Sequence, residues 1–296
     1  MHPQYAHSLA EFGLPRELPR CRGWILQRQI PGFPHYDGMG CYPLFACEDW
    51  AQLFVDLEDL EGRLVSLALV ADPFGGYDIS YLRQGFDKVI PFKNHFIVDL
   101  CHPIDNFVSK HHRYYARRAL RNVSVDQHPD PARFIDEWVT LYTTLIEKRN
   151  ITGMRTFSRA AFAKQLSVPG IVVFRATHQG ATIGAHLWYV QGQVAYSHLE
   201  AVSPVGYELM ASYALYWSAL NWFSEEIRWL DIGAGAGTVS TGTDGLSQFK
   251  RGWSTGARTA YFCGRIFNRE KYAQIVKAKG TSDTDFFPAY RQGEFG

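Results

Sequence analysis

No stretch of this chain approaches the ~18 consecutive apolar residues of a membrane helix. The opening Met1-His2-Pro3-Gln4-Tyr5 is polar and lacks the apolar core of a secretory signal, so a cytoplasmic location is expected and no membrane partner. An excess of one charge is also missing. Lys+Arg 30 against Asp+Glu 29 gives +1, so no whole-molecule field favours nucleic acid or a lipid surface, and any such binding must be local. The five cysteines, Cys21, Cys41, Cys47, Cys101 and Cys263, form no Cys-x-x-Cys, which points to reduced thiols rather than a disulfide framework or zinc site. Adjacent His111 and His112 leave a helix on different sides and suit one ion poorly, so no metal is expected. Gly-x-Ser-x-Gly, a Walker loop, solenoid repeats and low-complexity tracts are absent too. What remains is 296 residues, 46% hydrophobic and 15% aromatic, enough for one large globular domain or two ordinary ones.

Residues 1–47, rich in Pro, Gly and Tyr, read as irregular with one short strand near 24–29. Trp50, Leu53, Phe54, Leu57 and Leu60 recur at helical spacing and predict a helix to about residue 60. Extended segments follow at about 64–70 and 89–100, then a long basic helix at about 105–121 and a short strand at 123–125. Helices are expected at about 131–149 and 158–167, and strands at 170–176, 181–190 and 193–201. An aromatic helix (207–224), a strand (227–232), a Gly-rich loop, a short helix (244–252), a strand (257–264) and a helix (268–279) complete the pattern. The tail from Gly280 reads as poorly ordered. This order is mixed α/β, without the strict alternation of a parallel doubly wound sheet.

Trp229-Leu230-Asp231-Ile232-Gly233-Ala234-Gly235-Ala236-Gly237 taken alone suggests the first glycine loop of an S-adenosylmethionine methyltransferase. That fold needs several further strand-helix units of about 30 residues each after the loop. Only 65 residues follow Asp231, so position argues against the methyltransferase reading, which stays the least favoured alternative.

Several segments, in order, carry a different likeness: His95-Phe96-Ile97-Val98-Asp99-Leu100, the run Lys110 to Leu120, Leu230-Asp231-Ile232-Gly233, and Gly245-Leu246 with Phe249-Lys250. Over roughly 90–265 the chain resembles the Gcn5-related N-acetyltransferase (GNAT) superfamily, in its Fem-like tandem branch. The resemblance implies an α/β fold of two tandem halves, each a mostly antiparallel mixed sheet flanked by helices. A degenerate half would span 1–121, including the basic helix, and 122–296 would carry the active site. It further implies an acyltransferase in which a small-molecule or peptide amine attacks an activated acyl donor directly. Acyl-CoA is the donor expected first, as the commoner one in the superfamily, with aminoacyl-tRNA as the alternative. A non-catalytic ligand-binding protein is a third reading. At the junction where family members hold the CoA pyrophosphate on a Gly-rich turn, this chain reads Ala201-Val202-Ser203-Pro204-Val205-Gly206-Tyr207-Glu208-Leu209, with one glycine.

Direct aminolysis needs a proton acceptor and a donor for the developing oxyanion. His198 and Glu200 share parity on the 193–201 strand, from which family members place a base, and His198 is preferred because an imidazole titrates near neutrality. Structurally they could equally be a core histidine and a surface carboxylate. Lys250 matches the lysine of the Fem-like Phe-Lys element and could stabilise negative charge, or it could be a plain exposed lysine. Asp231 could orient Lys250 or the amine, or cap the loop. Arg113, Arg117 and Arg121 fall on one helix face and, with Lys110 and Arg118, form either a phosphate-docking strip or a solvated surface. Tyr207, Tyr216, Phe249 and Arg251 complete the expected substrate- and donor-binding set. Tyr216 is also a candidate acid for the leaving group.

Overall fold

The computed structural model describes residues 1–237 and 244–294. In chain order the first part contains α1 (Pro3–Ser8), β1 (Leu14–Leu18), β2 (Gly23–Gln29), β3 (Tyr36–Gly40), α2 (Leu53–Glu58), β4 (Ser66–Ala71), α3 (Ile79–Gly85) and β5 (Lys88–Asp99). Then come α4 (Ile104–Phe107), α5 (Lys110–Ala119), β6 (Ser124–Gln127), α6 (Ile135–Arg149), α7 (Arg159–Gln165), β7 (Ile171–His178), β8 (Ala181–Gln191) and β9 (Val194–Val202). The chain finishes with α8 (Pro204–Glu208), α9 (Ala211–Phe223), β10 (Trp229–Asp231), α10 (Gly245–Arg251), β11 (Gly256–Ile266) and α11 (Arg269–Lys279). No helix among the described residues is long and apolar enough to cross a membrane. Two compact units divide the chain, interleaved in sequence: Met1–Phe92 with Thr152–Gln165 and Thr259–Gly296, and Lys93–Ile151 with Leu166–Arg258.

The first unit carries strands in the order β1-β2-β3-β4-β11, antiparallel except where β3 meets β4. Its core is built on Ile25, Phe45, Trp50, Leu57 and Leu67. Residues 1–47, expected to be irregular apart from the strand near 24–29 that forms β2, also supply a helix and two further strands. Pro15, Gly38 and Gly40 gave them a loop-like composition, but pairing with β2 and β4 overrides such weak local preference. The tail differs likewise. Arg291 is buried and donates to both carboxylate oxygens of Asp37 (2.8 and 2.9 Å) and to the Gln29 carbonyl (2.9 Å). Tyr290 shares a 2.7 Å hydrogen bond with Ser66, and Arg28 reaches Glu294. A buried ion pair between residues 254 apart leaves no periodic trace in the sequence.

In the second unit the order is β5-β10-β9-β8-β7-β6, and only β9 and β10 run parallel. Helices α5 and α9 contribute to a core with Val98, Ala116, Trp188, Leu215, Phe223 and Trp253. The basic helix, expected to be continuous, breaks before Lys110 because the Ser109 hydroxyl accepts from the His112 N–H and starts a new helix. The aromatic helix also divides, at Met210, whose φ of 60° is left-handed. Each unit is thus a mostly antiparallel mixed sheet flanked by helices, the α/β class that the sequence implies.

Candidate active site

Strands β9 and β10 pair over only three residues, Val194 to Tyr196 with Trp229 to Asp231. Beyond Tyr196, β9 continues to Val202 beside the loop that follows β10, and the chemistry-bearing residues gather there. Opposite β8, Ser197 faces Trp188 and Leu199 faces Leu187, so His198 is an extra residue in a β-bulge. The bulge overturns the expected shared face. Glu200 pairs with His186 and lies with Ser197 on the side of α9, bonded to Ser212 and close to Tyr216. His198 packs its ring on Tyr189, which alternates to the other side (5.1 Å).

Their proton affinities separate as well. Burial pushes the Glu200 carboxyl up to about 7, against the opposing pull of Ser212 and Lys250, and its Oε1 is buried with no hydrogen-bond partner. Burial pushes His198 down to about 3. The carboxylate, not the imidazole, is therefore the group poised near neutrality.

Lys250, on α10, is half-buried rather than exposed. Its Nζ donates to the Ala234 carbonyl (2.8 Å) and lies against Gly233, where a Cβ would stand 2.9 Å away. Burial brings the ammonium down to about 8, although Asp231 and Glu200 both favour its charge. Asp231 ends β10 almost wholly buried and accepts the Gly233 N–H (2.7 Å), so it does cap the loop. The same carboxylate takes His95 Nδ1 on both oxygens (3.0 and 2.9 Å). His95 lies in the family-like segment 95–100, but nothing local gives it a role, because its partner lies 136 residues away.

Tyr216 is buried between His186 (4.9 Å), Phe249 (5.1 Å) and Trp253 (5.6 Å), and burial raises its phenol well above the usual range. Phe249 belongs to the same aromatic cluster, and its carbonyl bonds His112 Nε2 (2.9 Å), tying α5 to the helix that bears Lys250. Arg251 lies over the Phe96 ring (5.8 Å). Tyr207 is exposed on α8, with Lys148 over its ring (4.5 Å). On the outer side of α5, Lys110, Arg113, Tyr114, Arg117, Arg118 and Arg121 line an open groove of about 470 Å³. Arg113 is paired there with Asp105 (3.0 Å).

At the start of α8, the junction where the resemblance implies a pyrophosphate seat, the N–H groups of residues 203, 204 and 206 are taken or missing. Ser203 N–H donates to the Ile183 carbonyl, Pro204 has no N–H, and the Gly206 N–H is taken by Ser203 Oγ (3.1 Å). Gly206 is there for packing, since a Cβ would stand 2.2 Å from the Ile183 oxygen.

A family model described as an acetyltransferase (GNAT) domain matches residues 107–251. No curated protein sequence matches the chain. Among solved structures, FemX superposes with a TM-score of 0.69 at 13% identity, covering 93% of this chain and 95% of its own. The C-terminal domain of a putative lysylphosphatidylglycerol synthetase from Agrobacterium fabrum gives 0.65 at 13% identity, covering 92% and 90% respectively. L-PGS from Bacillus licheniformis gives 0.59 at 16% identity, covering 90% and 92%. At such identities the likeness is one of fold. Residues 107–251 thus match the GNAT acetyltransferase family, and the fold is the one shared by FemX and the lysylphosphatidylglycerol synthetase domain.

Proposed function

We propose that this acyltransferase moves an acyl group from a phosphate-bearing donor to a substrate amine by direct attack, with Glu200 accepting a proton and Lys250 facing the oxyanion. The observation that carries the reading is the Glu200–Lys250 pair. A carboxyl titrating near 7 and an ammonium titrating near 8 stand within electrostatic reach of each other at the open end of β9. Glu200 takes the amine proton as the C–N bond forms and returns it to the leaving group. The charged Lys250 stabilises the oxygen that gains the carbonyl electron pair.

The groove on α5 supports a donor with several phosphates, because four cations of this helix and Arg121 just beyond it line one groove, and the helix meets α10 through His112. Acyl-CoA is the first reading, as the common donor of the superfamily. The occupied N–H groups at Ser203 and Gly206, and the missing one at Pro204, favour the second, an aminoacyl ester of tRNA, which needs no pyrophosphate seat there. We place the reaction in the cytoplasm, where both donors are made. Titration with acetyl-CoA and with a charged tRNA pool tests the choice. Saturable tRNA binding that weakens steeply with salt, without CoA binding, establishes the tRNA donor, and CoA binding alone establishes the thioester. Binding of neither, with no transfer from either, overturns the reading.

A further inference from the structure

An amine that enters as its ammonium sheds two protons on becoming an amide, and Glu200 supplies one acceptor. We infer that His95, held by Asp231, is the second: the catalytic base that strips the ammonium before attack. The inference rests on the acyl-transfer reading above and assigns a residue outside the matched domain of 107–251.

The geometry is that of an oriented base. Asp231 is buried and accepts the Gly233 N–H, so it holds its acceptor role fixed at the end of β10. Both its oxygens face His95 Nδ1, which therefore carries the hydrogen, and the lone pair falls on Nε2. Among the described residues nothing bonds His95 Nε2, while the 8% exposure of the residue leaves it a narrow opening to solvent. Asp231 also lies within electrostatic reach of Lys250, so the dyad and the oxyanion cation share one carboxylate. A histidine with a purely structural part would use its second nitrogen in the core, as His112 does with Ser109 and Phe249.

The protons balance as follows. His95 Nε2 takes one from the ammonium and becomes imidazolium, stabilised by the Asp231 carboxylate. The freed nitrogen lone pair forms the C–N bond, and the carbonyl pair moves to oxygen beside Lys250. Glu200 takes the second proton from that nitrogen. As the acyl–sulfur or acyl–oxygen bond breaks, its electron pair leaves with the thiolate or alkoxide, which Glu200 reprotonates. His95 then returns its proton to water, and one proton is released per amide formed.

The test compares two amines at pH 7, with acetyl-CoA and a charged tRNA pool as donors. Propylamine is only about one part in 10³ free base at this pH, whereas methoxyamine is already neutral. The wild type should turn over propylamine far faster than its free-base fraction allows. His95→Gln keeps a donor for Asp231 but loses the lone pair. It should lose about 10²–10³-fold with propylamine, the scale of one general base, and only a few fold with methoxyamine. Imidazole should restore part of the propylamine rate to His95→Ala. Equal losses on both amines, or a wild type whose propylamine rate merely tracks its free base, overturn the dyad's role and leave the acyl-transfer reading standing. A wild type with no transfer from either donor overturns both.

Discussion

Gly233→Ala probes the joint between the loop and Lys250. Two costs follow from the structure. The backbone there has φ +75°, which for a residue with a Cβ costs about 1–2 kcal/mol. The new Cβ would also stand 2.9 Å from Lys250 Nζ, well inside the roughly 3.5 Å of an ordinary contact, so the ammonium must retreat by about half an ångström or more. That movement weakens its 2.8 Å bond to the Ala234 carbonyl, a charge-assisted bond on the order of 1.5–3 kcal/mol. The flexible lysine stem recovers part of this, giving an expected stability loss of about 1–3 kcal/mol in urea titrations. Displacing the oxyanion cation by a fraction of an ångström should lower kcat by roughly 10–10²-fold. Gly62→Ala is the control: φ is +78° and no atom lies near its Cβ, so it carries the strain without the collision. If both variants lose equal stability and Gly233→Ala keeps full kcat, Lys250 is not positioned by this contact and the reasoning fails.

Measured at saturating acceptor, kcat should be bell-shaped: it rises as Glu200 ionises near 7 and falls as Lys250 loses its proton near 8. At the maximum, near pH 7.5, about 0.6 of the enzyme holds both correct forms, and about 0.1 does so at pH 6 or 9. Lys250→Arg should extend the alkaline limb, and Glu200→Gln should abolish the acid limb together with most activity. The raised Glu200 carboxyl also makes a stability contribution that is lost as pH rises from its unfolded value of 4.5 towards 7, so Glu200→Gln should melt no lower than the wild type above pH 7. Lys250→Ala should lower turnover by roughly 10²–10³, whereas Arg117→Ala in the α5 groove should raise the donor KM by up to about fivefold and leave kcat intact. Arg291→Ala removes both guanidinium hydrogen bonds to the buried Asp37 carboxylate but leaves it Arg28 at 3.9 Å, and should cost about 1.5–3 kcal/mol in equilibrium unfolding.

The element order from residue 123 to 279 was legible because strands β7 to β9 and the helices around them carry clear apolar periodicity. The basic face of α5 and the loop-capping part of Asp231 were legible for a similar reason, since spacing and turn chemistry are local. What escaped was set by distance or by irregularity. Strands β1 and β3 depend on β2 and β4 for their shape, and Arg291 depends on Asp37 across most of the chain. The ordinary titration of an imidazole near neutrality favours His198 over Glu200, but burial reverses that order, and burial is a property of the fold. His95 owes its interest wholly to Asp231.

The extra residue in β9 also affects how distant relatives can be compared. Ser197 and Glu200 share a face at a spacing of three because His198 is absorbed outside the ladder. A relative with an unbroken strand would present the equivalent carboxylate two positions after the equivalent serine, and its chain would be one residue shorter there. Motif searches fixed on either spacing would miss the other, and an alignment that forbids a gap at His198 would match Glu200 to a residue on the far face. Among chains of this fold, functional correspondence along β9 has to be read by strand register rather than by column.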